Sequence, residues 1–450
     1  MKGNAHTAVK KTIFVLIVVI LSFPQIQQLT GIIKVKPLKG YVKLTEKPDF
    51  TLSKWFNGDY QQKQEEYIND HFGLRPTFVR WHNQLDFWLF NKVNANNVIV
   101  GKEGYLYELS YINEYLGRNF IGKNKINTKV SKLKMISDSL AKKNIDIVVI
   151  LAAGKASYFP EYFPDSLPPN TKTISNYDYF SQAFDSIGVK YIDFNSWFVN
   201  MKDTTKYPLF TIGGIHWSKY GEYLVADSLI NYVEKIRGVK LPHFKLERID
   251  ISSFPKYRDN DIGEGLNIFW YNTSVPLAYP KLKIDNSGVD APTKAMVVAD
   301  SYYWELYNEG LSRDVFNKGQ FWYYNKNIYS DEPGRKNLKV SEINVKEEIE
   351  RNDVIFILQT EATLNRFAFG FVDKLGDIYL QNDTIYPEES TNKPSAKSIY
   401  EKEIAAFIQN IKNSDVWYSS VVEKAKNRGI PVEEMLRLDA IYMIKQNSKK

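Results

Sequence analysis

Two short segments of this 450-residue chain hold residue types suited to nucleophilic chemistry. The first is Gly214-Ile215-His216-Trp217, which follows the extended stretch Tyr207-Pro208-Leu209-Phe210-Thr211. The second is Asp300-Ser301, placed where the apolar run Ala295-Met296-Val297-Val298-Ala299 stops. A serine hydroxyl is a weak nucleophile until a neighbouring base takes its proton. Histidine suits that role because its ordinary pKa lies near neutrality. The chain has five histidines, His6, His71, His82, His216 and His243, so pairing His216 with Ser301 is a sharp expectation. Their spacing is not that of metal ligands, and no metal is expected.

Composition narrows the remaining classes. Hydrophobic residues make up 44% of the chain and aromatic residues 14%, which is the balance of a folded protein. The net charge of +7 is spread over clusters such as Lys10-Lys11, the stretch Lys123 to Lys143 and Lys449-Lys450. No basic stripe is interleaved with aromatics, so a nucleic-acid module is not expected. With no cysteine, disulfides, thiolate metal sites and cysteine nucleophiles are excluded.

The N-terminus points to export. Lys2, Lys10 and Lys11 precede an apolar run from Thr12 to Phe23, and no small-x-small cleavage site follows. A helix from about Thr12 to Ile33 is long enough to cross a bilayer, and the lysines before it favour an inside N-terminus. The expected arrangement is a single-pass signal anchor over residues 1–33, in preference to a cleaved signal, with the bulk of the chain outside the cytoplasm. A linker over 34–54 follows, with Pro37, Gly40 and Pro48.

The positioning elements read as alternating helices and strands. An aromatic helical stretch from Trp55 to about Phe90 is interrupted near Gly73 and Pro76. Two short apolar runs around Lys102-Glu103-Gly104 predict a β-hairpin. Helices are expected over 127–143, 177–187 and 218–237. Strands are expected over 145–151, 189–193, 295–298 and 354–358. The near-continuous β-branched run Ile145–Leu151 is that of a strand buried on both faces. This alternation predicts an α/β sandwich with a largely parallel sheet. Sites in such sheets form at the carboxyl ends of strands, where Asp193 and Ser301 both fall. The tail from about Ser398 to Gln446 reads as helical, broken at Asn427-Arg428-Gly429.

From about Trp55 to Leu364 the chain resembles the AlgJ/AlgX-like alginate O-acetyltransferases of the SGNH-hydrolase-like superfamily, often described by an Asp-x-His-Trp signature. The pieces occur in the family's order: Tyr67 to Arg75, the hairpin Val98 to Tyr107, the loop Ala153-Gly154-Lys155 through Pro164, then His216-Trp217 and Asp300-Ser301. The resemblance implies an SGNH-hydrolase-like three-layer sandwich over residues 55–385 and a helical C-terminal region over 395–450. It also implies an exported acyltransferase that moves acetyl groups onto a polysaccharide, supplied by a membrane-bound O-acyltransferase, in the periplasm at the inner membrane. No cofactor is expected. By this resemblance Ser301 is the nucleophile and His216 the base.

Two positions depart from the pattern. Gly214 stands where the family keeps the acid that orients the histidine, and Ala299 stands where a glycine is usual. Losing the orienting acid costs serine hydrolases orders of magnitude in rate. Asp193, at the end of a neighbouring strand, is the first replacement to test; its bland alternative is a helix cap. Lys155 is a candidate contact for an acidic sugar or the oxyanion, and Glu361 a candidate cleft residue. Asp300, Trp217 and Gly214 are expected to be structural neighbours of the site. The competing reading is a non-catalytic member that binds glycan or docks on the membrane acyltransferase.

Overall fold

In the computed structural model, the described residues are 2–40, 44–271, 275–335 and 338–380, then 404, 407–409, 411–412, 415–428 and 430–447. The chain divides into two compact units, Met1–Asn382 and Asp383–Lys450.

The first unit contains eleven strands among the described residues. They are β1 (Val98–Val100), β2 (Leu106–Glu108), β3 (Asp146–Ala152), β4 (Tyr191–Asp193), β5 (His243–Ser252), β6 (Leu277–Asp285), β7 (Ala295–Ala299), β8 (Phe321–Tyr323), β9 (Asn327–Tyr329), β10 (Leu338–Lys339) and β11 (Val354–Thr360). Seven form the central sheet in the order β10-β9-β8-β7-β11-β3-β4. The pairs β4/β3, β3/β11, β11/β7 and β7/β8 are parallel, whereas β9 and β10 add an antiparallel edge. This is the α/β sandwich with a mostly parallel sheet expected from the sequence.

Strand periodicity explains the three layers. Successive side chains on a strand point to opposite faces. Val148, Ile150, Val297, Phe356 and Leu358 therefore join one core, with Phe194 and Phe198 of the helix Phe194–Met201 and Val225, Leu229 and Val233 of the helix Lys219–Arg237. Ile147, Val149, Met296, Val298 and Ile357 join the other. That second core is closed by the helices Lys123–Ala141, Asn176–Ile187 and Phe371–Tyr379. Ile126, Val130, Leu133, Ile136 and Leu140 form the buried stripe of the first of these, at spacings of three and four.

The hairpin β1/β2 forms around Lys102-Glu103-Gly104, with Glu103 and Gly104 at positive φ. The aromatic stretch splits into helices Asp59–His71 and Arg75–Phe90, parted at Phe72-Gly73-Leu74. Not anticipated was a long antiparallel ribbon, β5 against β6, with a register shift between Leu246 and Arg248. The segment between these two strands supplies a site residue described below. At the N-terminus the helix Lys2–Thr30 contains a 24-residue span, Thr7–Thr30, whose most apolar 18-residue stretch has a mean hydropathy of 1.9. At ~1.5 Å rise per residue such a span is about 36 Å long, enough to cross a bilayer.

The second unit contains helices Asp415–Arg428 and Val432–Asn447, joined through Ile430-Pro431 and packed through Val421, Ala425, Met435 and Leu436. The expected start of the helical tail, residues 398–403, and the expected boundary between units near 385–395 lie outside the described residues.

Candidate active site

Ser301 opens a short 3-10 turn, Ser301–Tyr303, at the carboxyl end of β7. Asp300 fixes that turn. Its buried carboxylate accepts from the N–H of Tyr302 at 3.1 Å, and from the N–H and hydroxyl of Thr360 and the hydroxyl of Thr363 at 2.9, 3.0 and 3.0 Å. The ends of β7 and β11 are thereby tied together directly below Ser301. These hydrogen bonds of the Asp300 carboxylate are therefore all made within the fold.

His216 lies on a loop closed by the bridge between Phe210 and Trp217. Trp217 packs edge-on against Tyr302 at 5.1 Å, and the His216 ring lies 4.6 Å from the same ring. The Tyr302 hydroxyl donates to the Ile215 carbonyl at 2.5 Å. Tyr302, the residue after Ser301, therefore clamps the loop that bears His216. His216 Nε2 is 2.9 Å from Ser301 Oγ.

The acid comes from a place the sequence reading did not consider. Asp261 begins the five-residue helix Asp261–Gly265 in the segment between β5 and β6. Its Oδ2 lies 2.5 Å from His216 Nδ1, and its Oδ1 accepts from the N–H groups of Ile215 and Ile262, each at 2.9 Å. Burial would raise this carboxyl. The hydrogen bond and charge of His216 and the two N–H groups outweigh burial and hold it below its ordinary range. An ionised Asp261 accepts the Nδ1 proton, so Nε2 carries the lone pair that faces Ser301.

Asp193 is not part of this arrangement, which corrects the sequence expectation. It caps the helix Phe194–Met201, accepting from the Ser196 N–H at 2.8 Å, and takes the Tyr177 hydroxyl at 2.8 Å. Strands β3 and β11 intervene between β4 and β7. Three strand spacings of ~4.8 Å separate Asp193 from Ser301 by about 14 Å.

Gly214 is required by the same geometry. A Cβ there would stand 2.6 Å from Thr211 Oγ1, 3.0 Å from the Asp259 carbonyl and 3.1 Å from the Arg258 carbonyl. The backbone that delivers Asp261 crosses the space that a side chain at 214 would fill.

Lys155 and Glu361 also depart from expectation. Lys155 is fully buried, and its ammonium donates to the Ile212 and Gly214 carbonyls at 2.7 and 2.8 Å beside the Tyr105 and Tyr107 rings. It pins the histidine loop and has no surface for a sugar. Burial pushes its pKa well down, against a smaller opposing pull from Asp261. Glu361 is buried behind the site, accepting from the Ser157 hydroxyl at 2.6 Å. Burial raises its carboxyl to about 7, although the Ser157 hydrogen bonds oppose the shift.

Ser301, His216 and Asp261 open on a cleft of about 870 Å³ whose lining includes Asn94, Glu108, Asn267, Tyr324 and Arg366. Glu108, at the end of β2, was missed by the sequence reading. Burial raises its carboxyl, His216 lowers it and Asp261 adds to the rise. Among the described residues, no group of three or more His, Asp or Glu side chains is arranged to hold a metal ion.

Residues 98–251 match the family described as SGNH hydrolase-like domain, acetyltransferase AlgX. That match takes in β1 to β4, all but the last residue of β5, and His216, and ends before Asp261 and Ser301. Similar solved structures include the O-acetyltransferase domain of Pseudomonas putida AlgJ, at 13% identity and TM-score 0.40, covering 63% of this chain and 99% of that one. Pseudomonas aeruginosa AlgX is 13% identical with TM-score 0.38, covering 61% and 67%. Bacillus cereus PatB1 is 12% identical with TM-score 0.38, covering 61% and 100%. No curated protein sequence matches the chain.

Proposed function

We propose that this protein is a membrane-anchored, extracytoplasmic O-acetyltransferase that modifies a polysaccharide through an acetyl-Ser301 intermediate. The observation that carries the proposal is the hydrogen-bonded series Ser301 Oγ, His216 Nε2, His216 Nδ1, Asp261 Oδ2, exposed to a large cleft. Ser301 Oγ attacks the acetyl carbonyl of an ester donor while Nε2 takes the hydroxyl proton. Asp261 stabilises the imidazolium. The backbone N–H of Ser301, at a strand-to-helix turn, is suited to donate to the oxyanion. The tetrahedral intermediate collapses as His216 returns the proton to the departing donor oxygen. A sugar hydroxyl then attacks acetyl-Ser301, His216 takes its proton, and a second collapse releases the acetylated sugar and restores the serine.

The lining supports a glycan acceptor. Asn94, Asn96, Ser110 and Arg366 offer dispersed polar groups suited to a polyhydroxylated chain. The reading of a non-catalytic binder rested on Gly214, and Asp261 removes that motive by supplying an acid to the imidazole. Ser301→Ala should abolish release of a chromogenic acetate while leaving the thermal midpoint unchanged. Equal turnover in wild type and variant would refute the proposal.

A further inference from the structure

The helix Arg75–Phe90 is inside out. It turns the polar side chains Asn83 and Gln84 toward the protein. Asn83 donates to the Leu266 carbonyl at 2.9 Å, and Gln84 accepts from the N–H groups of Phe269 and Trp270 at 2.9 and 2.8 Å. Its large apolar residues Phe78, Trp81, Leu85, Trp88 and Leu89 fall at helical spacing on the exposed side. Phe269 and Trp270 extend that surface. Trp88 stacks on Trp270 at 5.6 Å and 9°, and Trp81 meets Phe269 at 5.1 Å. A soluble helix normally buries this stripe, and a contiguous exposed patch of this kind marks a contact surface.

The occupant is indicated by what adjoins the patch. The turn that starts this helix packs on the outer end of the N-terminal apolar helix. A Cβ at Gly73 would stand 2.0 Å from the Pro24 carbonyl and 2.8 Å from the Gln28 N–H nitrogen. The chain leaving Thr30 then runs back along the same helix, where Arg80 donates to the Lys36 and Pro37 carbonyls at 2.9 and 2.7 Å. Lys34 and Lys36 are exposed beside it. Tryptophan and cationic residues flanking a bilayer-crossing helix suit the lipid–water interface. A glycan is the poorer fit, since Trp88 and Trp270 cover each other's faces and Leu85 and Leu89 offer sugars no hydrogen bonds.

We propose that the outward face of Arg75–Phe90, with Phe269 and Trp270, lies in the headgroup region of a lipid bilayer as a second membrane contact. This rests on the reading of Lys2–Thr30 as a bilayer-crossing helix. It has a consequence for the cleft. Lys39 lines the cleft; its N–H donates to Asn267 Oδ1 at 2.8 Å and its carbonyl accepts from Asn267 Nδ2 at 3.0 Å. It follows Thr30 by nine residues. At ~3.5 Å per extended residue, the cleft is therefore no more than about 30 Å from the membrane exit. The second contact fixes which way the cleft faces.

The absence of cysteine allows the test on the full-length chain. A polarity-sensitive fluorophore is placed at Leu16→Cys, Leu89→Cys or Lys235→Cys, and each protein is reconstituted in phosphatidylcholine–phosphatidylglycerol vesicles containing lipids with headgroup-level nitroxides. All three positions are exposed, and Lys235 is near Arg237, which contacts the opposite, amino-terminal end of β3. The expected result is a blue-shifted, nitroxide-quenched signal at 89, an acyl-depth signal at 16 and an aqueous, unquenched signal at 235. An aqueous signal at 89 with a lipid signal at 16 overturns the interface contact and leaves the anchor standing. Aqueous signals at both 16 and 89 overturn both. Protection of 89 in native membranes but not in pure-lipid vesicles also overturns the proposal, in favour of a membrane protein as the occupant.

Discussion

Replacing Asp261 with asparagine changes one atom and should silence the enzyme. Oδ1 is committed to the N–H groups of Ile215 and Ile262, so the amide oxygen takes that position and the new NH2 faces His216 Nδ1. An NH2 at Nδ1 forces that nitrogen to accept. The proton moves to Nε2, which then points an N–H at Ser301 Oγ and can no longer take the hydroxyl proton. Loss of this tautomer lowers kcat by ~10⁴ in a serine protease, equivalent to about 5 kcal/mol of transition-state stabilisation. A similar loss is expected here, with the thermal midpoint nearly unchanged because the Ile215 and Ile262 N–H bonds survive and the new NH2 still bonds Nδ1, with donor and acceptor exchanged. The assay is chromogenic acetyl ester turnover, paired with ¹⁵N shifts of the imidazole to read the tautomer. Turnover within a few fold of wild type, or a wild-type tautomer in the variant, would refute this account of Asp261.

Asp193→Asn should leave turnover unchanged, because the residue is a helix cap and asparagine caps about as well as aspartate; a loss of turnover would return Asp193 to the site. Gly214→Asp should lower stability by roughly 1–3 kcal/mol through overpacking against the 258–259 backbone, without raising activity, as read by denaturant unfolding beside ester turnover. Lys155→Met should reduce kcat without affecting Ser301 itself, since the Ile212 and Gly214 carbonyls lose their donor at a cost of roughly 1–3 kcal/mol each; unchanged kcat would show that the histidine loop needs no such anchor. Glu361 predicts a pH effect on stability. Below 4.5 its carboxyl is protonated in folded and unfolded chains alike, and between 4.5 and about 7 the unfolded chain ionises while the fold keeps the proton. Stability therefore falls as pH rises through that window, by up to about 3 kcal/mol for this group, and Glu361→Gln should unfold later than wild type at pH 8 but not at pH 4.5.

The strands that carry Ser301 and its neighbours were legible because burial on both faces leaves continuous apolar runs, as in Ile145–Leu151 and Ala295–Ala299. The pairing of His216 with Ser301 followed from the scarcity of histidine and from motif order. Asp261 was not legible. It belongs to a five-residue helix with no periodicity, 45 residues beyond His216 and inside a ribbon insertion whose pairing is decided by tertiary contact. The available signal was Gly214 itself. A glycine where an acid is usual implies that another piece of backbone occupies the space, and Arg258–Asp259 does so. Lys155 and Glu361 misled because charge suggests solvent, whereas here each charged side chain is enclosed and bound to backbone or hydroxyl groups. The β8–β10 edge and the β5/β6 ribbon escaped because strands of two or three residues, and a half-exposed ribbon rich in lysine, leave no clear period.

The central claim is that Ser301 Oγ carries the acetyl group between donor and acceptor. Its most direct test is intact-mass and peptide mass spectrometry of the full-length protein mixed rapidly with an acetyl ester in the absence of glycan. The account predicts one added acetyl group on the peptide containing Ser301, discharged when a polysaccharide acceptor is added, and no adduct in Ser301→Ala. An adduct on any other residue, or turnover with no acyl-enzyme and undiminished by Ser301→Ala, would contradict it.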